Sequence, residues 1–278
     1  MSAETVTVPG RQLAAVTPAE WDALASRRIF FGHQSVGRNI MSGVRAVLAD
    51  HPEIGLRLAE TDDPATVEGP ALIDANIGEN RRPETKTAVF GEVLRRGLGE
   101  GALALYKFCY VDVDEATDVD ALFADYVAET RRIREAHPEV TLVHVTLPLR
   151  TVREGVRDRL ARLLGRTTEL DLNVRRNRYN DLLRSEYEGI DPIFDLARLQ
   201  STRPDGSRSF VRHQAREIYM LAPEWTYDDG HLNEAGERYV AERFLVTLAE
   251  IAARTPDPAV GAVHLDGHGH PHSNEIES

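Results

Sequence analysis

Short apolar segments of strand length alternate with helical segments along most of this chain, and this alternation limits the folds that it can adopt. The first apolar run, Ile29 to Gly32, precedes Val36 to Ala49, where apolar residues recur every three or four positions. Nearly continuous apolar strands that alternate with helices are typical of a parallel sheet covered on both faces, so we predict a single three-layer α/β/α domain. Further strands are expected at Gly101 to Lys107, Val140 to Thr146 and Pro192 to Asp195, and further helices at Asp118 to Ala136 and Val174 to Glu188.

Two segments without clear periodicity interrupt this alternation, Glu60 to Pro83 and Ser201 to Tyr227. Long loops in a compact domain are frequently functional, so both are expected to shape a binding site. The last helix is expected to begin near Asn233, a good N-cap residue, and to end near Ala253. We therefore divide the chain into an N-terminal extension (1–27), a domain (28–253) and a disordered tail with four histidines (254–278).

The charge and cysteine content exclude several classes of protein. The 33 lysines and arginines against 45 aspartates and glutamates give a net charge of −12, which argues against nucleic acid or an anionic membrane surface as a partner. The single cysteine, Cys109, excludes an intrachain disulfide and a zinc site built on several thiolates. The polar N-terminus does not have the pattern of a signal peptide, and every apolar run is shorter than the roughly 20 residues of a membrane helix. We expect a soluble cytoplasmic protein, and its oligomeric state stays open.

A serine lies where the first strand turns into a helix, in the segment Gly32-His33-Gln34-Ser35-Val36-Gly37. Ligands of open parallel sheets bind at the carboxyl ends of the strands, and the positive end of the following helix favours negative charge developing nearby. Ser35 is therefore a candidate nucleophile. The alternative is that Ser35 only caps the helix, because serine is among the preferred N-cap residues.

A histidine and an aspartate lie just ahead of the last helix, in Tyr227-Asp228-Asp229-Gly230-His231-Leu232. A histidine in such a loop can act as a general base, and an aspartate three residues earlier can accept a hydrogen bond from its other ring nitrogen. Asp228 and His231 are thus candidate triad members. The alternative is that Asp228 is an ordinary turn residue and His231 a surface side chain.

With these two motifs the chain resembles the SGNH or GDSL hydrolases over roughly Arg28 to Ala253. Gln34-Ser35-Val36 stands for the Asp-Ser-Leu of the family's nucleophile motif, and Asp228 to His231 matches its Asp-x-x-His motif. The resemblance implies a flavodoxin-like SGNH fold and a small-molecule ester substrate cleaved through Ser35, His231 and Asp228. It implies no cofactor and no metal.

The family's oxyanion hole uses a glycine after the second strand and an asparagine after the third. Gly78 is the candidate glycine and Asn80 a second candidate, because they lie between a strand expected near Leu56 to Glu60 and a helix expected around Thr87 to Leu98. After the third strand the family's Gly-x-Asn-Asp is absent, and Lys107 or a backbone N–H is the candidate replacement. A turn role for Gly78 and a solvated role for Lys107 stay open. The missing asparagine favours a catalytically weak or repurposed binding protein as the alternative function, and an acyltransferase would use the same triad.

Other chemistries fit the sequence less well. Gly32 to Gly37 has the glycine spacing of a phosphate-binding loop, but Arg38 and Asn39 stand where a lysine and a serine or threonine are required. The dispersed histidines form no metal-ligand pair with a carboxylate on one helix face, and Cys109 has no base near it in the sequence. Four arginines that could bind an anionic substrate group are left out of the site because isolated arginines are usually solvated: Arg81, Arg82, Arg203 and Arg208.

Overall fold

Six parallel strands form the centre of the structure, a computed structural model that describes residues 11–153, 155 and 164–255. The strands are β1 Arg28–His33, β2 Leu58–Glu60, β3 Ala71–Asn76, β4 Leu103–Tyr106, β5 Thr141–Val145 and β6 Ile193–Phe194. Their order across the sheet is β2-β3-β1-β4-β5-β6. When the short edge strand β2 is left out and the other five are counted in chain order, this is the 2-1-3-4-5 order of flavodoxin-like sheets. The predicted α/β fold with a parallel sheet is confirmed.

Helices cover both faces of this sheet, as expected for strands that are buried on both sides. The helices are α1 Pro18–Ala25, α2 Val36–Asp50, α3 Pro83–Arg95, α4 Val119–Ala136, α5 Glu169–Tyr187, α6 Leu196–Ser201 and α7 Glu234–Arg254. Helices α1, α2, α6 and α7 pack on one face, and α3, α4 and α5 pack on the other. Neighbouring residues of β1 therefore enter different cores: Phe31 packs with the first group and Phe30 with the second.

The two helices that follow the predicted site motifs, α2 and α7, pack directly on each other. The Asn233 side chain caps α7 by accepting a hydrogen bond from the Gly236 N–H at 2.9 Å, as its position predicts. Gly43 of α2 permits the close approach, because a Cβ at this position would lie 2.3 Å from the Glu237 carbonyl oxygen. This contact brings the start of α2 and the loop before α7 to the same end of the sheet.

The two segments predicted to be loops both contain strands, so this prediction is wrong for part of each segment. The strand expected near Leu56 to Glu60 is only the short edge strand β2. The strand that lies between β2 and β1 is β3, which is inside the segment predicted as a loop. The second loop holds a hairpin of Phe210–His213 (β7) and Arg216–Tyr219 (β8). Its two-residue turn, Gln214 and Ala215, has positive φ at both positions without the glycine or asparagine that marks such turns.

The N-terminal segment packs against the domain over its described part. Trp21 and Leu24 of α1 are buried in the same core as α2 and α7. Arg11 donates hydrogen bonds to Glu20 at 2.7 Å and to Glu250 of α7 at 3.1 Å. The domain bounds 28–253 stay a prediction, and the predicted tail lies outside the described residues beyond Thr255.

Candidate active site

Ser35 lies directly after the central strand β1, at the first residue before α2. Its backbone has φ 50° and ψ −108°, a conformation that side-chain-bearing residues rarely adopt. Although Ser35 occupies the N-cap position, its side chain makes no capping hydrogen bond. The Ser35 Oγ instead lies 2.6 Å from Nε2 of His231, 196 residues away in sequence. The hydroxyl thus faces a potential base rather than the helix backbone.

His231 and Asp228 form the second half of this hydrogen-bonded chain. The His231 Nδ1–H donates to Asp228 Oδ2 at 2.7 Å, which leaves Nε2 as the acceptor that faces Ser35. Asp228 Oδ1 accepts the backbone N–H groups of His231 at 2.7 Å and Gly230 at 3.0 Å. Partial burial alone would raise the pKa of Asp228, but these hydrogen bonds outweigh it and hold the pKa below its usual value. Asp228 is therefore ionised at neutral pH and fixes the orientation of the imidazole.

The turn that carries Asp228 and His231 is held from two sides. The Thr151 N–H, beyond the end of β5, donates to the Asp229 carbonyl at 2.9 Å. On the other side, Asn39 of α2 accepts the Leu232 N–H at 3.3 Å and donates to Glu237 of α7 at 2.6 Å. The turn is thereby fixed to both the sheet and the helix that follows Ser35.

The segment that contains Gly78 is tied to the residue next to Ser35. The Gln34 side-chain amide donates to the carbonyl groups of Ile77, at 3.0 Å, and Gly78. Gly78 has φ 60°, and a Cβ there would lie 2.5 Å from the Lys86 backbone nitrogen, so the position requires glycine. Within residues 11–153, 155 and 164–255, the N–H groups of Ser35 and Gly78 donate no hydrogen bond to the protein. These two N–H groups are the candidate donors to an anionic oxygen.

A buried ion pair holds the Gly78 segment against the segment after β4. The Lys86 ammonium of α3 contacts the Asp112 carboxylate, and both side chains are fully buried. The Asp112 carboxylate also accepts the N–H groups of Cys109 at 2.6 Å and Arg81 at 2.8 Å, which satisfies its remaining lone pairs. Asn80 contributes through Oδ1, which accepts from Lys86 Nζ at 3.2 Å. The structure therefore places Asn80 as a partner of Lys86 near the candidate site.

Lys107 is buried beneath the site rather than solvated. Its Nζ donates to the Phe108 carbonyl at 3.3 Å and contacts Cys109 Sγ at 3.6 Å, and in the described part of the chain it makes no hydrogen bond with Ser35 or His231. Burial lowers the pKa of Lys107 because the charged ammonium loses its hydration. Its assignment as an oxyanion donor stays a prediction.

Several residues at the site were not singled out for a role by the sequence. Tyr110, four residues after β4, packs edge-on against the His231 ring with a centroid distance of 5.8 Å. The guanidinium groups of Arg150 and Arg176 lie 5.2 and 5.8 Å from the Tyr110 ring centroid. Tyr110 and Arg150 follow β4 and β5 in the sequence, and this position could have marked them as candidates. Tyrosine and arginine are also common in loops without a functional role, so position alone did not single them out.

The described residues contain no group of three or more histidine, cysteine, aspartate or glutamate side chains arranged to hold a metal ion. His33 pairs with Asp74 at 3.2 Å, and His144 bonds to the Tyr126 hydroxyl at 2.7 Å, both in buried positions. In the same part of the chain, every helix is too short or too polar to cross a bilayer.

Neither a protein-family model nor a curated protein matches this chain. Solved structures do match it. A Streptococcus pneumonia protein described as a candidate platelet activating factor has 13% identity over 83% of this chain and 90% of its own, with a TM-score of 0.46. An acetyl esterase variant with an acetate ion has 11% identity over 81% and 96%, with a TM-score of 0.44. The periplasmic domain of a Salmonella ser. Paratyphi A lipopolysaccharide acetyltransferase has 11% identity over 87% and 89%, with a TM-score of 0.42.

Proposed function

We propose that this protein is a serine hydrolase of the SGNH type that cleaves an acyl or acetyl ester of a small molecule. The observation that carries the proposal is the hydrogen-bonded chain from Ser35 Oγ through His231 to Asp228 at the carboxyl end of the central strand. A nucleophile, a base and a group that orients the base are the three parts of a serine-hydrolase triad. The strained backbone of Ser35 supports the proposal, because such strain is concentrated at functional sites.

The reaction follows from the order of these hydrogen bonds. Ser35 Oγ attacks the ester carbonyl carbon while its proton passes to His231 Nε2, and Asp228 stabilises the resulting imidazolium. His231 then protonates the leaving alcohol, and an acyl group stays on Ser35. Water repeats the sequence: it loses a proton to His231, attacks the acyl carbon and releases the acid with Ser35 restored.

The oxyanion of each tetrahedral intermediate would be bound by the backbone N–H groups of Ser35 and Gly78. Gln34 supports this assignment, because its amide holds the Gly78 segment beside the serine. Removing a single donor of an oxyanion hole typically costs about 10²- to 10³-fold in rate. The proposed chemistry requires neither a metal nor a cofactor.

Labelling with a fluorophosphonate probe tests the proposal. The wild type is expected to gain one adduct, located at Ser35 by intact mass and peptide mapping. Ser35→Ala and His231→Ala are expected to lose the adduct, because they remove the nucleophile and its base. Ser26→Ala and His137→Ala, which lie before β1 and β5 at the opposite end of the sheet, serve as matched controls and should label as the wild type does.

Failure of the folded wild type to label would contradict the hydrolase proposal and favour a binding role. If labelling succeeds, turnover of p-nitrophenyl acetate with and without added alcohols distinguishes the acceptor. Release of acetate alone indicates hydrolysis, whereas acetylated alcohol indicates acyl transfer through the same triad.

A further inference from the structure

The segment after β4 runs beside the nucleophile although it contains no asparagine. The β1–β4 pairing sets this arrangement, and the Lys107 N–H donates to the Gly32 carbonyl at 3.2 Å, just beyond the paired strands. Two residues further on, Cys109 Sγ lies 3.8 Å from the Gln34 carbonyl. Cys109, which precedes Tyr110, is thus in contact with Gln34, which precedes Ser35.

The Tyr110 hydroxyl points at the turn that carries Asp228 and His231. A Cβ added at Gly230, the residue before His231, would lie 3.0 Å from the Tyr110 hydroxyl oxygen. The Tyr110 ring also packs edge-on against His231, whose Nε2 lies 2.6 Å from Ser35 Oγ. The absence of a side chain at Gly230 therefore leaves the space in which the hydroxyl reaches the triad.

The Tyr110 ring is fixed in this position by two arginines. Arg176 Nε donates to the Tyr110 carbonyl at 3.0 Å, and Arg150 lies over the ring while its Nη1 pairs with Glu169 at 2.8 Å. Arginine over an aromatic ring is attractive because the guanidinium faces the negative π surface. A hydrogen-bond donor held this firmly costs little reorganisation during the reaction, which is the property required of an oxyanion donor.

The phenol stays protonated at neutral pH. Burial raises the pKa of Tyr110, and this effect outweighs the nearby positive charge of Arg150, which lowers it. The ring contact with His231 at 5.8 Å places the hydroxyl close to the triad, because Ser35 Oγ lies 2.6 Å from Nε2 of the same histidine. Because the oxyanion forms on the carbon that bonds to Oγ, a donor near Oγ in the free protein can reach the oxyanion in the intermediate.

We propose that Tyr110 is a catalytic residue whose hydroxyl donates a hydrogen bond to the oxyanion, in place of the asparagine that the chain lacks after β4. The inference rests on the proposed hydrolase function. The Tyr110 proton stays on its oxygen throughout, so the acyl-transfer steps at Ser35 and His231 are unchanged. Tyr110 would be the side-chain donor that accompanies the Ser35 and Gly78 backbone N–H groups.

Hydrolysis of p-nitrophenyl acetate by Tyr110→Phe tests this role, because the substitution removes only the hydroxyl. We expect kcat to fall by about 10²- to 10³-fold with little change in KM, since the donor acts on charge that exists only in the intermediate and its transition states. The rate of fluorophosphonate labelling should fall as well. The shape of the pH profile should stay that of the wild type, whereas a substitution that only displaced His231 would change it.

Tyr239→Phe on α7 is the matched control, because Tyr239 stacks on Trp225 at 4.8 Å, outside the triad, and the same single oxygen is removed. Its kcat and KM should match those of the wild type. If the wild type is active, Ser35→Ala is inactive and folded Tyr110→Phe keeps the wild-type kcat, the inference is wrong while the proposed function stands. If the wild type neither labels nor hydrolyses the ester above the Ser35→Ala background, the proposed function fails and this inference fails with it.

Discussion

The backbone conformation of Ser35 should lower the free energy of unfolding whether or not the side chain carries a hydroxyl. Residues with a side chain lose about 1–3 kcal/mol in such sparsely populated conformations, whereas glycine adopts them freely. Ser35→Gly and Ser35→Ala both remove the hydroxyl, so their comparison isolates the backbone. We expect Ser35→Gly to be about 1 kcal/mol more stable than Ser35→Ala after the larger unfolded-state entropy of glycine is subtracted. Urea unfolding measures the difference, and equal stabilities would show that the position is unstrained.

At the residue scale, the sequence identified candidates by where they stand between elements. Ser35, Asp228 and His231 each lie at a junction with a helix, and the structure brings their side chains together. Tyr110 could not be found in this way, since its position beside His231 depends on the packing of Gly230 and on two arginines from other segments. A role that arises from tertiary contacts leaves no local pattern in the sequence.

At the element scale, Asp195 joins three secondary-structure elements and should make stability depend on pH. Its carboxylate caps α6 through the Arg198 N–H at 3.0 Å, accepts from Thr146 after β5 and pairs with Arg184 of α5 through two 2.8 Å hydrogen bonds. Burial would raise the pKa of Asp195, but these partners outweigh it and lower the pKa below the ordinary value of 3.8. The stabilisation is therefore complete above the ordinary pKa and is lost as the pH falls through the lowered folded-state value.

Asp195→Asn tests this linkage. At neutral pH we expect a loss of about 2 kcal/mol in the free energy of unfolding, because hydrogen bonds to a charged group are replaced by weaker ones. The difference in the free energy of unfolding between wild type and variant should stay constant down to about pH 5. It should narrow at lower pH, where Asp195 of the unfolded wild type begins to bind a proton. Urea unfolding from pH 7 to pH 3 provides the comparison. A difference that is constant over the whole range would exclude a lowered pKa for Asp195.

Elements were predictable where the apolar pattern was continuous and unpredictable where buried polar groups interrupted it. Helix α4 and strand β4 follow regular apolar spacing, and the structure places them within the expected ranges. Strand β3 was missed because it contains the buried Asp74, whose carboxylate pairs with His33 at 3.2 Å and with Arg45 at 3.7 Å. The β7–β8 hairpin was missed because its turn has positive φ without glycine.

At the scale of the whole molecule, the order of strands explains how residues 196 positions apart form one site. Strand β1 lies inside the sheet between β3 and β4, and chain direction places the ends of all six strands at one edge. Helix α7 then returns across α2, and Phe244 of α7 contacts Phe31 of β1 and Phe194 of β6, with ring centroids 5.1 Å apart in each pair. The turn that carries Asp228 and His231 is therefore fixed by the packing of the whole domain.

This packing predicts that α1 unfolds together with the rest of the domain. The chain has two tryptophans, Trp21 in α1 and Trp225 before α7, and both are buried. Trp225→Phe leaves fluorescence that reports α1, and Trp21→Phe leaves fluorescence that reports the segment just before Asp228 and His231. In each variant, the urea midpoint from fluorescence should equal the midpoint from far-UV circular dichroism, as two-state unfolding requires. If Trp21 fluorescence changes at lower urea than the circular dichroism of the same variant, α1 is a separate unit and the domain begins at residue 28. Coincident midpoints extend the cooperative unit to include α1, because its buried face then contributes to the same core as α7, the helix that follows His231.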